Sequence, residues 1–206
     1  MACQLCETRK ARRHCPGVRG EICPQCCGNE RERTVDCPLD CEYLLEARRH
    51  EKPHQPDPET IPHKDLVIQE SFLEKHTGLI MILSRAVVEA ALANPSIVDN
   101  DVRDALDALT RTYRTRESGL IYESQPANPY AAGIVQALKA TIEDFERRTQ
   151  EATGMSTIRD ADIFGVLVFL QRVEFNYNNQ RPRGRSFLSF LFQSFPPQPA
   201  PSGLVS

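Results

Sequence analysis

The chain has no tryptophan, and after Cys41 it has no cysteine in the 165 residues that follow. Apolar runs are short. The longest, 79–83 and 163–170, fall well below the roughly 20 residues a bilayer span needs. Glycine-rich phosphate loops are missing, since Gly133, Gly154 and Gly165 stand alone. A di-iron bundle site needs Glu-x-x-His pairs, but the residue three before His76 is Leu73. Ser118 and Ser156 have no partnered base nearby in sequence. No catalytic constellation emerges, and the expected function is not enzymatic. The net charge of −3 gives no global pull toward nucleic acid or anionic membrane. No apolar leader follows Met1, so the expected setting is the cytosol, where reducing conditions favour thiolates over disulfides.

What is present is concentrated at the start. Eight cysteines fall within 41 residues as Cys3-x2-Cys6, Cys15, Cys23-x2-Cys26, Cys27 and Cys37-x3-Cys41. Pairs two or three residues apart aim two thiolates at one point, as a tetrahedral metal site requires. Metal binding then folds a segment too polar to fold alone. Zinc is the expected ion. Iron–sulfur is disfavoured because the Cys-x2-Cys-x2-Cys run of bacterial ferredoxins is missing, and redox thiols are the third reading. Eight sulfurs suggest two zinc ions per chain. The expected pairing is crossed, with Cys3, Cys6, Cys23 and Cys26 on one ion and Cys15, Cys27, Cys37 and Cys41 on the other. His14 and His50 are substitute ligands.

Two stretches suggest local structure. Cys23-Pro24-Gln25-Cys26-Cys27-Gly28 reads as a knuckle in which Gly28 takes a positive φ, turning backbone N–H groups toward sulfur. Cys37-Pro38-Leu39-Asp40-Cys41 reads as a helix start, with Cys37 the N-cap and Pro38 at N1. In that helix Tyr43 and Leu44 form an apolar cap over the metal. A knuckle followed by a ligand pair at a helix N-terminus is treble-clef logic.

Together Cys3-x2-Cys6, Arg13-His14-Cys15-Pro16, Ile22-Cys23-x2-Cys26-Cys27-Gly28, Arg31, Cys37-Pro38-x-Asp40-Cys41 and Tyr43-Leu44 carry a resemblance. They resemble the N-terminal module of a group of uncharacterised bacterial proteins with a Cys-Cys-Gly zinc-finger-like segment ahead of a helical region. The resemblance covers about the first 45 residues and implies metal binding in a bacterial cytosol, with no activity attached. More distantly the spacing is similar to cross-braced B-box or MYND fingers, which bind proteins more often than DNA.

Arg9, Lys10, Arg12, Arg13 and Arg19 form a basic stretch suited to phosphate contact. Residues 1–54, however, hold ten Lys or Arg against nine Asp or Glu, and eight thiolates on two Zn²⁺ add about −4. No aromatic interleaves these basics to stack a base. The bland role, screening the thiolates, is preferred.

Four prolines among residues 52–62 predict a stiff linker. Beyond it the sequence is helical. Phe72, His76, Leu79, Leu83 and Val87 make a buried stripe over 64–92, with His76 a hydrogen-bonded core histidine. Asn94-Pro95 ends that helix. Further helices are expected at about 98–117, 129–151 (stopped by Gly154) and 157–178. The last is apolar nearly all round at 163–170, hence central. Residues 117–123 read as a helix end packed by Leu120, Ile121 and Tyr122. Arg181, Arg183 and Arg185 precede an aromatic segment. Its bland reading is a short helix closing the bundle with Phe187, Leu191 and Phe195 against residues 163–170. The functional reading is an exposed patch for a partner or membrane surface.

The expected architecture is mostly α: a treble-clef or cross-braced zinc module (1–51), a linker (52–63), an up-and-down bundle (64–195) and a disordered tail (196–206). The leading expectation is a non-catalytic zinc-binding adaptor or regulatory protein engaging a protein partner, a second copy of the chain included. Nucleic-acid binding through the basic stretch, and a thiol-based redox or metal sensor, are the alternatives.

Overall fold

A computed structural model describes residues 1–51, 57–117, 119, 122–154 and 158–196. Strands β1 (Arg13–Cys15) and β2 (Gly20–Ile22) pair antiparallel, with Arg13 opposite Ile22 and Cys15 opposite Gly20. Helices α1 (Pro24–Glu30) and α2 (Glu42–His50) complete the cysteine-rich module. After a 3-10 turn at Pro58–Thr60 come α3 (Glu70–Lys75), α4 (Thr77–Ala93), α5 (Asp99–Glu117), α6 (Pro129–Thr153), α7 (Asp160–Tyr177) and α8 (Ser186–Ser194). The chain is mostly helical, and no described helix is long and apolar enough to cross a membrane.

Local chemistry sets the helix ends. The Asn128 side chain accepts the Tyr130 N–H at 2.9 Å and Pro129 occupies the first turn of α6, while Gly154 stops it at φ 71°. The Asp162 carboxylate accepts the Arg159 backbone N–H at 3.2 Å and also binds its guanidinium, starting α7.

The single helix expected over 64–92 is instead two, α3 and α4, broken at His76. Residues 62–66 are drawn out of helical geometry because Arg172 of α7 takes the carbonyls of Pro62, His63 and Leu66 at 3.1, 2.6 and 2.8 Å. The Phe72 ring lies so close over Gly165 that a Cβ there would sit 2.6 Å from Phe72 Cζ. His76 is buried, but its Nε2 has no hydrogen-bond partner, Asp162 Oδ1 lying 3.6 Å away.

In the bundle α4 packs on α6, α5 on both α6 and α7, and α7 on α4. The ring order among the described residues is therefore α4–α6–α5–α7, not the sequential order of an up-and-down bundle. Helix α7 is central as expected, with Ile163, Val166, Leu167 and Val168 fully buried. Helix α8 docks through Phe187, Leu188 and Leu191, chiefly on α4 rather than on α7 alone. Its first turn is held by Asp99, whose carboxylate accepts the N–H groups of Phe187 and Leu188 at 2.9 and 3.0 Å. Of the aromatic segment, Phe192 stays largely exposed and Phe195 is half-buried.

The joint between module and bundle is built around one buried glutamate. Glu32, at φ 54°, is fully buried. Its Oε1 accepts from Arg48 Nη2 at 2.7 Å and the Arg185 backbone N–H at 2.8 Å. Its Oε2 accepts from Asn179 Nδ2 at 2.8 Å and Arg181 Nη1 at 3.3 Å. The carbonyl of Glu32 takes the Arg183 N–H at 2.9 Å. Arg185 is itself buried, and its guanidinium donates to the carbonyls of Cys37, Pro95 and Ile97 at 2.9, 2.6 and 2.9 Å. Arg183 pairs with Asp36. The arginines of the loop from α7 to α8, which precede the aromatic segment, are spent on this joint.

Candidate metal centre

Cys3, Cys6, Cys23 and Cys26 meet: their sulfurs all lie within 4.8 Å of one another. Bonds of about 2.3 Å to a tetrahedral ion put sulfurs about 3.8 Å apart, so small inward shifts close the site. No other group of three or more Cys, His, Asp or Glu side chains among the described residues is as close. None of the eight cysteines is in a disulfide.

Each pair is shaped by its own backbone. The Cys3–Cys6 turn closes through the Glu7 N–H on the Cys3 carbonyl at 2.7 Å, with Glu7 in the left-handed region at φ 56°. The Cys23–Cys26 pair opens α1: Cys23 is the N-cap, Pro24 follows it, and the Cys26 N–H bonds the Cys23 sulfur at 3.4 Å. The Cys23 N–H bonds the Cys3 sulfur at 3.1 Å. These amides direct positive charge at sulfur without Gly28. That residue lies within α1 rather than at the positive φ expected of it.

The thiols differ electrostatically. Hydrogen bonds from the Thr8 side chain and from the Arg9 and Thr8 backbones bring Cys6 down to about 5. The Cys26 backbone amide lowers Cys23. Burial, then the neighbouring Cys23, pushes Cys26 up to about 12. Cys26 resists ionisation where it sits, and a metal ion among the sulfurs would supply the compensating positive charge. Sulfur-only donors in this arrangement fit a four-coordinate soft or borderline ion.

The remaining cysteines converge elsewhere. Cys15 at the end of β1, Cys27 in α1, Cys37 and Cys41 line one small cavity of about 10 Å³, walled by Ile22, Val35 and Leu44. Burial raises the Cys37 thiol to about 11, partly offset by the Glu32 backbone amide on its sulfur. The helix expected to begin at Cys37 begins at Glu42, with Cys41 its N-cap and 37–41 a turn closed by the Cys41 N–H on the Pro38 carbonyl. Pro38 there bends the turn instead of opening the helix. Leu44 and Tyr43 border this second cavity rather than the first quartet.

The basic residues divide. Arg9 reaches the Cys26 sulfur at 3.6 Å. Arg13 reaches the Cys27 sulfur at 3.4 Å, with its guanidinium 4.5 Å above the Tyr43 ring. Arg31, part of the motif that carries the resemblance, lies 3.9 Å from the same sulfur. Lys10, Arg12 and Arg19 remain exposed. His14 pairs with Glu21 at 3.3 Å and His50 with Glu46 at 3.2 Å, both on the surface, and neither joins the first quartet.

Sequence reasoning missed Glu32, and named Arg185 without its role in joining module to bundle; the only signal was charge density, common to solvated loops. Tyr122, expected to pack, is exposed. Ser118, Leu120, Ile121, Ser156, linker residues 52–56 and tail residues 197–206 lie outside the described residues. No known family, no curated protein and no solved structure matches the chain.

Proposed function

We propose that the protein is a non-catalytic zinc-binding adaptor whose module, in the reducing cytosol, engages a protein partner from a helical scaffold. The convergence of Cys3, Cys6, Cys23 and Cys26, with amides already directed at their sulfurs, carries the reading. Zinc suits it: four thiolates fill a tetrahedral shell, the closed coordination of structural rather than catalytic zinc. The succession of the Cys3–Cys6 turn, hairpin β1–β2 and α1 supports a treble-clef reading of this quartet, with α1 in the place first given to α2. The expectation of two ions per chain divides accordingly, the first belonging here. The joint at Glu32 supports an adaptor because it fixes the module's orientation on the bundle.

Metal analysis of the purified full chain, beside the Cys6→Ser variant, tests this. Zinc in the wild type, reduced in the variant, is expected, together with a partner retained by the wild type and lost by the variant. Bound iron with visible absorbance would replace zinc. A nucleic-acid shift that weakens steeply with salt would replace the protein partner with nucleic acid.

A further inference from the structure

Cys15, Cys27, Cys37 and Cys41 are left over by the first centre, yet come from three different segments of the module to one cavity. Its volume of about 10 Å³ is roughly that of one water-sized body, enough for one ion. The close packing is built in. A Cβ on Gly17 would lie 2.3 Å from the Asp36 carbonyl oxygen and 2.8 Å from Val35 Cγ1. Only glycine lets the β1–β2 turn press against the segment carrying Cys37. Cys41 caps α2 without a side-chain capping bond, so its sulfur remains available. Cys27 receives guanidinium N–H groups from Arg13 and Arg31, donors that offset thiolate charge.

We propose that Cys15, Cys27, Cys37 and Cys41 form a second zinc centre, which draws closed on its ion and thereby sets the joint between module and bundle. The proposal rests on the zinc-binding reading of the module but uses different residues. The sulfurs lie wider than those of the first quartet. Half-buried Cys27 and Cys41 are the ones to move inward, each ligating thiol giving its proton to solvent. The coupling runs through Cys37. Its carbonyl accepts from Arg185 Nη1 at 2.9 Å, and its sulfur meets the backbone amide of Glu32. Both residues belong to the joint, so fixing Cys37 on a metal fixes the acceptors on which residues 179–185 close.

The test compares zinc content of the full chain with Cys6→Ser, Cys27→Ser and Cys41→Ser. About two ions in the wild type and about one in Cys27→Ser and Cys41→Ser are expected. Cys27→His, which restores a nitrogen ligand, should keep the second ion. Amide exchange at Arg183 and Arg185 should accelerate in Cys27→Ser and return toward wild type in Cys27→His. If the serine variants do not fold, Co²⁺ titration of metal-free wild type should show two thiolate-bound equivalents. One ion, lost in Cys6→Ser and unchanged in Cys27→Ser and Cys41→Ser, overturns this proposal and leaves the first centre standing. No ion in the wild type overturns both. Loss of the second ion without change in Arg183 or Arg185 exchange overturns the coupling.

Discussion

The module and the bundle solve the same problem with different materials. In the bundle the buried core is aliphatic and aromatic, running from Leu79 through Leu167 to Leu191, without a cysteine. In the module five of the eight buried core residues are cysteines, joined by Ile22, Val35 and Leu44. Three aliphatic side chains, each worth about 1.5–3 kcal/mol when buried, do not order a segment of this length. In the proposed zinc-binding reading, metal–sulfur bonds supply the rest. Under the proposed zinc binding the module's fold is conditional on metal while the bundle's is not, and Glu32 is where the conditional part is tied to the unconditional one.

The bundle side of the contrast is tested most severely by truncation after Arg185. This removes Phe187, Leu188 and Leu191 from the core and deprives the buried Asp99 carboxylate of two donors. Thermal melting is expected to fall by about 10 °C or more, with increased dye binding. An unchanged melt would mean that α8 is an appendage and the core ends with α7.

Glu32→Ala probes the tie itself. It leaves Arg48, Asn179, Arg181 and the Arg185 amide without their shared acceptor. Removing one partner of a buried ion pair costs about 3–5 kcal/mol, to be read from urea unfolding. Arg49→Ala, which breaks an exposed pair with Glu46, should change little. Equal effects of the two substitutions would show that the module merely rests on the bundle.

The smallest effect is a pH dependence within the bundle. Burial raises Glu174, held by Asn178, to about 7. A folded-state value above the unfolded one means stability is present in full below about pH 4.5 and declines as pH rises through about 7. Glu174→Gln should flatten that decline between pH 5 and 8 in denaturant midpoints, whereas an unchanged slope would assign it to another group.

Much of this was legible locally. The pairs Cys3–Cys6 and Cys23–Cys26 announce a shared cluster because each turn alone brings its two sulfurs together. Asn128-Pro129 and Gly154 bound α6 because capping is a property of neighbouring residues. What escaped was non-local. Nothing near Glu32 indicates that Asn179 and Arg181 will enclose it across 147 and 149 residues. Nor does the stripe through His76 reveal that Arg172 claims the carbonyls ahead of α3. The ring order of the helices likewise depends on which surfaces meet, not on any one helix's periodicity.

Arg185 gives the molecule an order of assembly in time. Its guanidinium joins carbonyls at Cys37, Pro95 and Ile97, so it closes contacts with segments synthesised long before it. At ribosomal rates of about 5–20 residues per second, the interval between Cys41 and Arg185 is on the order of ten seconds. The cysteines therefore emerge well before the bundle exists to receive the module. Under the proposed zinc binding, metal capture precedes docking on every nascent chain, and Arg185 seals an already loaded unit.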